Sequence, residues 1–449
     1  MEAKAERGAQ GTRAGWLESL AVYLRKDVLI VILLGFSSGL PLALSGSTLL
    51  IWMTEAGIDL KTIGLFAAVG TPYTIKFLWA PLVDALDVPL LGRLGHRRGW
   101  LLLSQFLLLA AILFLSSLDP AAQTWLVALG ALLVATASAT QDIVVDAYRV
   151  DKLAVSEQAA GMAGYVAAYR IGMLASTAGV LFAVTYFEQG LGMARLAAWE
   201  AGYKAMAVLV VVGMVTVLFA SEPARSRHPA PEAGESTGRP VARVWGAALG
   251  AFTDFLQRDA VWVVLLFVVL YKLCDAFAGA MIGPFVIKMG YSREAYAAIV
   301  KGVGLAATLA GGFVGGWVAR QMSLAASLWL GGILQTVANL SFTVLAMSGL
   351  SHVMLGIAIT IENFTSAIGT VIFIAYLSSL CRNPLHTATQ FAVLTAFAAI
   401  GRTYLSAGAG WMAELTGWPL FFVVATLTGL PAFVLLWWLQ RRGHFSSVG

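Results

Sequence analysis

Gln158 to Arg170 reads QAAGMAGYVAAYR, and Thr389 to Arg402 reads TQFAVLTAFAAIGR. In each stretch a glutamine (Gln158, Gln390) precedes an arginine (Arg170, Arg402) by the same interval, inside an otherwise small and apolar run. EAGIDLK (Glu55 to Lys61) and KMGYSRE (Lys288 to Glu294) stand at nearly the same separation. Each reads as a glycine-containing hairpin between two apolar runs. The chain is therefore read as two parallel repeats, and such repeats, related by an axis along the membrane normal, place a binding site near mid-membrane between them.

Composition sets the solvent. Of 449 residues, 59% are hydrophobic and 12% are charged, against about 25% charged in soluble domains. Apolar runs near 20 residues recur, each long enough to cross ~30 Å of hydrocarbon at ~1.5 Å per residue. Twelve spans are expected, at 28–51, 62–83, 100–118, 122–147, 158–185, 201–220, 260–287, 295–319, 324–347, 353–379, 387–411 and 419–440. The class is an all-α membrane protein of two six-helix pseudo-symmetric halves. The expected organisation is a 1–27 N-terminal segment, a 28–220 half, a 221–259 linker, a 260–441 half and a 442–449 tail. Trp16, Leu20, Tyr23 and Leu24 share one helical face before the first span, as in a helix lying at the interface. The linker holds EPARSRHPAPEAGESTGRP, rich in proline and charge.

Lysine and arginine are concentrated on one side. The loops on the side of the N-terminus hold Arg25, Lys26, Arg93, Arg97, Arg98, Arg149, Lys152, Arg382 and Arg441 among others, and the opposite loops hold few. That bias predicts both termini and the linker in the cytoplasm. The net charge of +5 is assigned to loops beside lipid headgroups, not to nucleic-acid binding. Cys274 and Cys381 form no metal-ligating pattern and are read as packing residues. No metal, cofactor or catalytic group is expected.

Charges inside an apolar span are costly and are functional candidates by default. The acids are Asp142, Asp146, Asp275 and Glu362; the bases are Lys76, Arg170, Lys272, Lys301 and Arg402. Asp142 and Asp146, in QDIVVDAYR, share a helix face, with Arg149 one turn on. Two close carboxylates in low dielectric are suited to carrying protons. Lys272 and Asp275 are three apart and can pair locally, and Lys76 lies near enough to a span end to snorkel. Arg170 and Arg402 lie too deep for that and suit bidentate carboxylate recognition. Glu362 sits among Thr360, Asn363, Thr365 and Ser366, a polar cluster expected to face water. The Asp-x-x-x-Asp spacing also occurs in intramembrane prenyltransferases, but their second aspartate-rich motif is missing: the counterpart YLSSLCRNP has no acid.

The stretches GFSSGLPLALSGSTLLIWM, ATQDIVVDAYRVDKL, VLYKLCDAFA and ATQFAVLTAFAAIGRTY closely resemble the AmpG family, the anhydromuropeptide permeases of the major facilitator superfamily. The resemblance implies the major facilitator fold in a bacterial inner membrane. It implies proton-driven import of N-acetylglucosamine–anhydro-N-acetylmuramyl peptides from periplasm to cytoplasm, for cell-wall recycling and β-lactamase induction. The same wider group includes acetyl-CoA transporters, the alternative by fold. By position, the family's residues carry over to Gln141, Asp142, Asp146, Lys272, Asp275, Gln390 and Arg402. Taken with the membrane charges and polar residues read above, Asp142, Asp146, Asp275 and Glu362 are the expected proton carriers. Arg170, Arg402, Lys272, Gln141, Gln390, Asn363, Tyr148, Tyr169, Tyr271 and Ser45 are the expected substrate contacts. The loop PLVDALDVPLLGRLGHRRGW resembles the superfamily's acidic-then-basic loop, which makes Asp84, Arg93, Arg97 and Arg98, with Arg149, gating residues. The expected partners are the muropeptide, protons and membrane lipid, and the expected state is a monomer.

Overall fold

The computed structural model describes residues 22–154, 157–223, 260–380 and 387–446. These are helical, with no strand among them. Among the described residues the helices form twelve segments at the expected spans: α1 Lys26–Glu55, α2 60–85, α3 His96–Ser116, α4 Thr124–Lys152, α5 158–190, α6 Arg195–Phe219, α7 Val261–Lys288, α8 Arg293–Ala319, α9 Leu324–Ser348, α10 His352–Leu380, α11 387–416 and α12 419–441. Ten stretches are long and apolar enough by themselves to cross a membrane; α2 falls outside them, and α11 and α12 count as one. The expected interfacial helix falls outside the described residues, except for a short 3-10 turn at Val22–Leu24. Most of the 221–259 linker also lies outside them.

Two departures from the expected spans have local causes. The second span is a chain of short α and 3-10 pieces, Leu60–Leu65, Phe66–Gly70, Thr71–Ile75, Lys76–Leu78 and Ala80–Ala85. Pro72 and Pro81 each withhold an N–H from the ladder, and Gly64 and Gly70 weaken the pieces between them. In contrast, α4 continues to Lys152, past the expected end at 147, so Tyr148 and Arg149 are helical residues as well. Helices α11 and α12 run together as one apolar stretch of sequence. The chain turns between them at Gly417, whose φ of 70° and ψ of 165° suit glycine.

The halves are built by close helix contact. In α1, a Cβ on Gly39 would lie 2.1 Å from the Tyr169 carbonyl oxygen of α5. Small residues at such crossings let backbones approach, which is how membrane helices gain packing without a hydrophobic driving force between them. Large apolar side chains such as Phe313, Trp262 and Met347 point outward, where lipid meets them.

The buried core shows how the halves meet. One cluster on the sparsely charged side joins both halves, with Trp52, Ile63 and Trp199 packed into the same body as Met281, Phe285 and Phe421. On the arginine-rich side the core divides. Val31, Leu101 and Tyr148 belong to a cluster of the first half alone. Phe267, Ile372 and Tyr376 belong to one of the second half alone. Among the described residues, the buried core is thus continuous across the halves on one side and divided on the other.

Candidate functional site

The seal carries its own charges. Arg293, at the start of α8, is buried and reaches two carboxylates of the other half, Glu55 and Glu188. Its Nε donates to Glu55 Oε1 at 2.7 Å, and Trp199 Nε1 donates to Glu55 Oε2 at 2.9 Å. Trp199 stacks on Trp52 at 5.6 Å and lies under the Arg293 guanidinium at 5.5 Å. Nearby, Glu414 of α11 accepts from the backbone N–H of Leu60 at 2.7 Å and pairs with Lys61. Sequence reading placed Glu55 and Arg293 in matching hairpins but not in contact. Asp59, in the α1–α2 loop, caps α2; hydrogen bonds from Thr62 hold its carboxyl below the usual value.

On the arginine-rich side, the expected gating residues bond within the first half. Arg97 Nε pairs with Asp151 at 3.1 Å. Arg98 donates to the carbonyls of Val217 and Leu218, and Glu222 accepts from the backbone N–H groups of Arg97 and Arg98. Arg149 pairs with Asp146 at 3.8 Å, and Arg93 is exposed. The Asp84 side chain lies outside the described residues. None of these bonds crosses to the second half.

Below the seal lies a cavity of about 270 Å³ between the halves, with Arg170, Lys301, Glu362, Asn363, Ser47 and Tyr296 in its wall. Arg170 stands 12 residues into α5, ~18 Å along the helix, as its position in the repeat predicted. Tyr169 is within electrostatic reach of both Arg170 and Arg402; of the two matched arginines, Arg170 lines the cavity and Arg402 is not among its lining residues. Neither makes an ion pair with a described residue.

Two acidic groups flank this centre. In the first half, Asp142 is buried with Oδ1 lacking a hydrogen-bond partner, while Asp146 is half exposed. Lys76 is within electrostatic reach of both. It stands in a short 3-10 turn, Lys76–Leu78. Tyr73 and Tyr165 also lie near Asp142. In the second half, Glu362 accepts from Asn363 Nδ2 at 2.7 Å, and Asn363 Oδ1 accepts from Thr308 at 3.1 Å. Lys272, Asp275 and Lys301 are within electrostatic reach of Glu362.

Several expected substrate contacts are committed elsewhere. The Lys272 ammonium pairs with Asp275, as spacing allowed, and also bonds Gln335 at 3.0 Å and Ser366 Oγ at 3.2 Å. With its donors used, it is not free for a substrate carboxylate. Gln141 is fully buried and donates to Ser37 and Ser38. Tyr148 donates to the Ser221 carbonyl at 3.1 Å, deep in the packing of the arginine-rich side. Tyr271 donates to the Leu328 carbonyl at 2.9 Å and stacks on Phe373. Ser45 bonds back to the Pro41 carbonyl at 3.1 Å. Each is a polar group bonded within the packing, although Gln141 Oε1 is left without a partner, and a single sequence does not distinguish such a group from one facing a ligand. The Gln390 side chain and Cys381 lie outside the described residues; Cys274 is buried and free.

Comparison with known proteins agrees with this architecture. The Major Facilitator Superfamily profile matches residues 31–404. A solved D-xylose-proton symporter superposes with a TM-score of 0.65 at 13% identity, over 92% of this chain and 97% of its own. A POT family transporter in complex with a thioalcohol conjugated peptide gives a TM-score of 0.68 at 12% identity, over 92% and 96%. The anhydromuropeptide permease of Escherichia coli (strain K12) is 39% identical, over 96% of this chain and 83% of that protein. The putative transporter AmpG 4 of Rickettsia conorii is 33% identical, over 92% and 96%. Two six-helix halves around a charged central cavity, with these matches, define a membrane transporter of the major facilitator superfamily. Within that superfamily, the chain belongs to the AmpG family of anhydromuropeptide permeases.

Proposed function

We propose that this transporter imports anhydromuropeptides into the cytoplasm in symport with protons, serving cell-wall recycling and, through the imported product, β-lactamase induction. The observation that carries the reading is the cavity between the halves, with Arg170 in its wall beside Lys301 and Glu362 and without a carboxylate partner among the described residues. A muropeptide carries more carboxylates than amines. Bringing one negative charge into an inside-negative cell is uphill by ~2.3 kcal/mol per 100 mV, so each accompanying proton offsets one such charge. Asp142, Asp146 and Glu362 are the proton carriers in this scheme, and Arg170 and Arg402 hold the substrate. Asp275 joins them only if its pairing with Lys272 opens during the cycle.

The orientation belongs to the same proposal. With the arginine-rich side in the cytoplasm, the sealed side is periplasmic and the structure is inward-facing. The 221–259 segment then links the halves inside the cell, in the bacterial inner membrane. A cysteine at Ser236 should be shielded from impermeant maleimide in intact cells and become reactive on permeabilisation. Ready labelling of intact cells would reverse the orientation.

Proton coupling is tested in proteoliposomes with labelled anhydromuropeptide. Asp142→Asn and Asp146→Asn keep shape and remove titration. Each should remain folded yet lose roughly tenfold or more of its pH-gradient-driven accumulation, the scale of losing one group that acts in proton transfer. Accumulation by both variants at the normal level would make the pair structural. Absence of uptake by the unmodified protein would overturn the substrate assignment.

A further inference from the structure

Lys301 is a base that the spacing of the repeats does not single out, and its surroundings are unusual. It sits in a π-helical segment, Tyr296–Val303, at the start of α8. Such wide turns re-aim side chains and are frequent at functional sites. A second π segment, Ala175–Gly179 of α5, packs against it from the other half. The Lys301 side chain therefore stands where the two halves touch, and it lines the central cavity with Arg170 and Glu362.

Its ammonium is poorly satisfied. Nζ donates to Ser47 Oγ of α1 at a long 3.4 Å and lies over the Tyr296 ring at 5.5 Å. It makes no ion pair among the described residues. An ammonium has three donors, and a partly buried one without a carboxylate carries an uncompensated desolvation cost. Lys272, the base expected for this role, has its donors committed to Asp275, Gln335 and Ser366.

We propose that Lys301 binds a peptide carboxylate of the transported substrate, with Arg170 on the facing wall, so that the anion bridges the two halves. This rests on the muropeptide reading above and names the part of the substrate recognised: the carboxylates of the peptide, not the sugar rings. Ser47 holds the ammonium in place until the anion arrives, since a charge-assisted bond outcompetes a long bond to a hydroxyl. The competing role for Lys301 is to neutralise Glu362 on α10.

The test is binding to purified full-length protein in detergent, by calorimetry, with two ligands. One is the disaccharide tripeptide with free carboxylates; the other is the same compound with its peptide carboxylates converted to amides. Lys301→Gln should weaken the free acid roughly tenfold, the scale of one lost charge-assisted hydrogen bond, while changing the amide little. Lys301→Arg keeps the charge and should keep most of the preference for the acid. It also provides a folded comparison if the glutamine variant is unstable. The double variant Lys301→Gln with Glu362→Gln should stay weak toward the acid. Equal losses for the two ligands, or recovery in the double variant, would overturn the inference and leave Lys301 as the counter-ion of Glu362. Unmodified protein that binds neither ligand would overturn the muropeptide reading, and this inference with it.

Discussion

Gly410→Leu should abolish transport, with uptake falling to background while the protein still inserts in the membrane. A Cβ at this position of α11 would lie 1.7 Å from the Leu60 carbonyl oxygen, 2.6 Å from its carbonyl carbon and 3.1 Å from the Gly64 nitrogen. All three are backbone atoms of α2, so no rotamer change relieves the clash. Helices of the two halves must move apart there by ~1.5–2 Å to restore ordinary contact. The seal also includes Arg293 with Glu55 and Glu188, and Glu414 with Leu60 and Lys61. Side-chain pairs of that kind can re-form after small shifts, whereas the backbone contact cannot. The variant should therefore favour the state opened on the sparsely charged side. In a background without Cys274 and Cys381, a cysteine replacing Ala280 in the cavity wall reports this. Impermeant maleimide should label it from that side far faster in Gly410→Leu than in the parent. Gly408→Ala, where an added Cβ meets no atom within 4 Å, should behave as the parent. Normal uptake with unchanged labelling in Gly410→Leu would show that the halves do not need this contact.

The second large effect concerns Lys272 and Asp275. Breaking a buried pair from one side leaves an uncompensated charge, which costs roughly 3–5 kcal/mol. Lys272 retains 21% side-chain exposure and Asp275 only 9%, so water relieves the lysine somewhat. Asp275→Asn should then fall near the lower end of that range. The double variant Lys272→Gln with Asp275→Asn leaves no orphan charge, and Gln335 and Ser366 can still bond the new amides. It should recover most of the lost stability. Thermal unfolding of the parent and the two purified variants measures this directly. If the double variant is as unstable as Asp275→Asn, the pair is not what holds α7 to α9 and α10. Uptake by the double variant then decides the role of Asp275. Normal pH-driven accumulation would remove it from the proton carriers, and loss of accumulation with recovered stability would keep it among them.

The sequence by itself determined the class, the spans and the repeat. Those depend on length and hydropathy, because lipid forces each span to satisfy its own backbone hydrogen bonds. The match of Gln158 and Arg170 with Gln390 and Arg402 placed two arginines at one depth, and Lys272 with Asp275 was legible because three residues on a helix share a face. The unevenness of α2 was not expected from the sequence, although its prolines and glycines carry the signal. Which polar groups are already satisfied was decided by tertiary structure alone. Gln141, Tyr148 and Tyr271 find partners 57 to 104 residues away, and no local pattern reports such bonds. The same holds for Arg293, which looked like a loop charge until α1, α5 and α6 brought Glu55, Glu188 and Trp199 to it. Lys301 and Lys272 look alike in sequence, each a single lysine in an apolar helix. Packing within the second half adds Gln335 and Ser366 to the local partner of Lys272, and the meeting of the two halves leaves Lys301 facing the cavity.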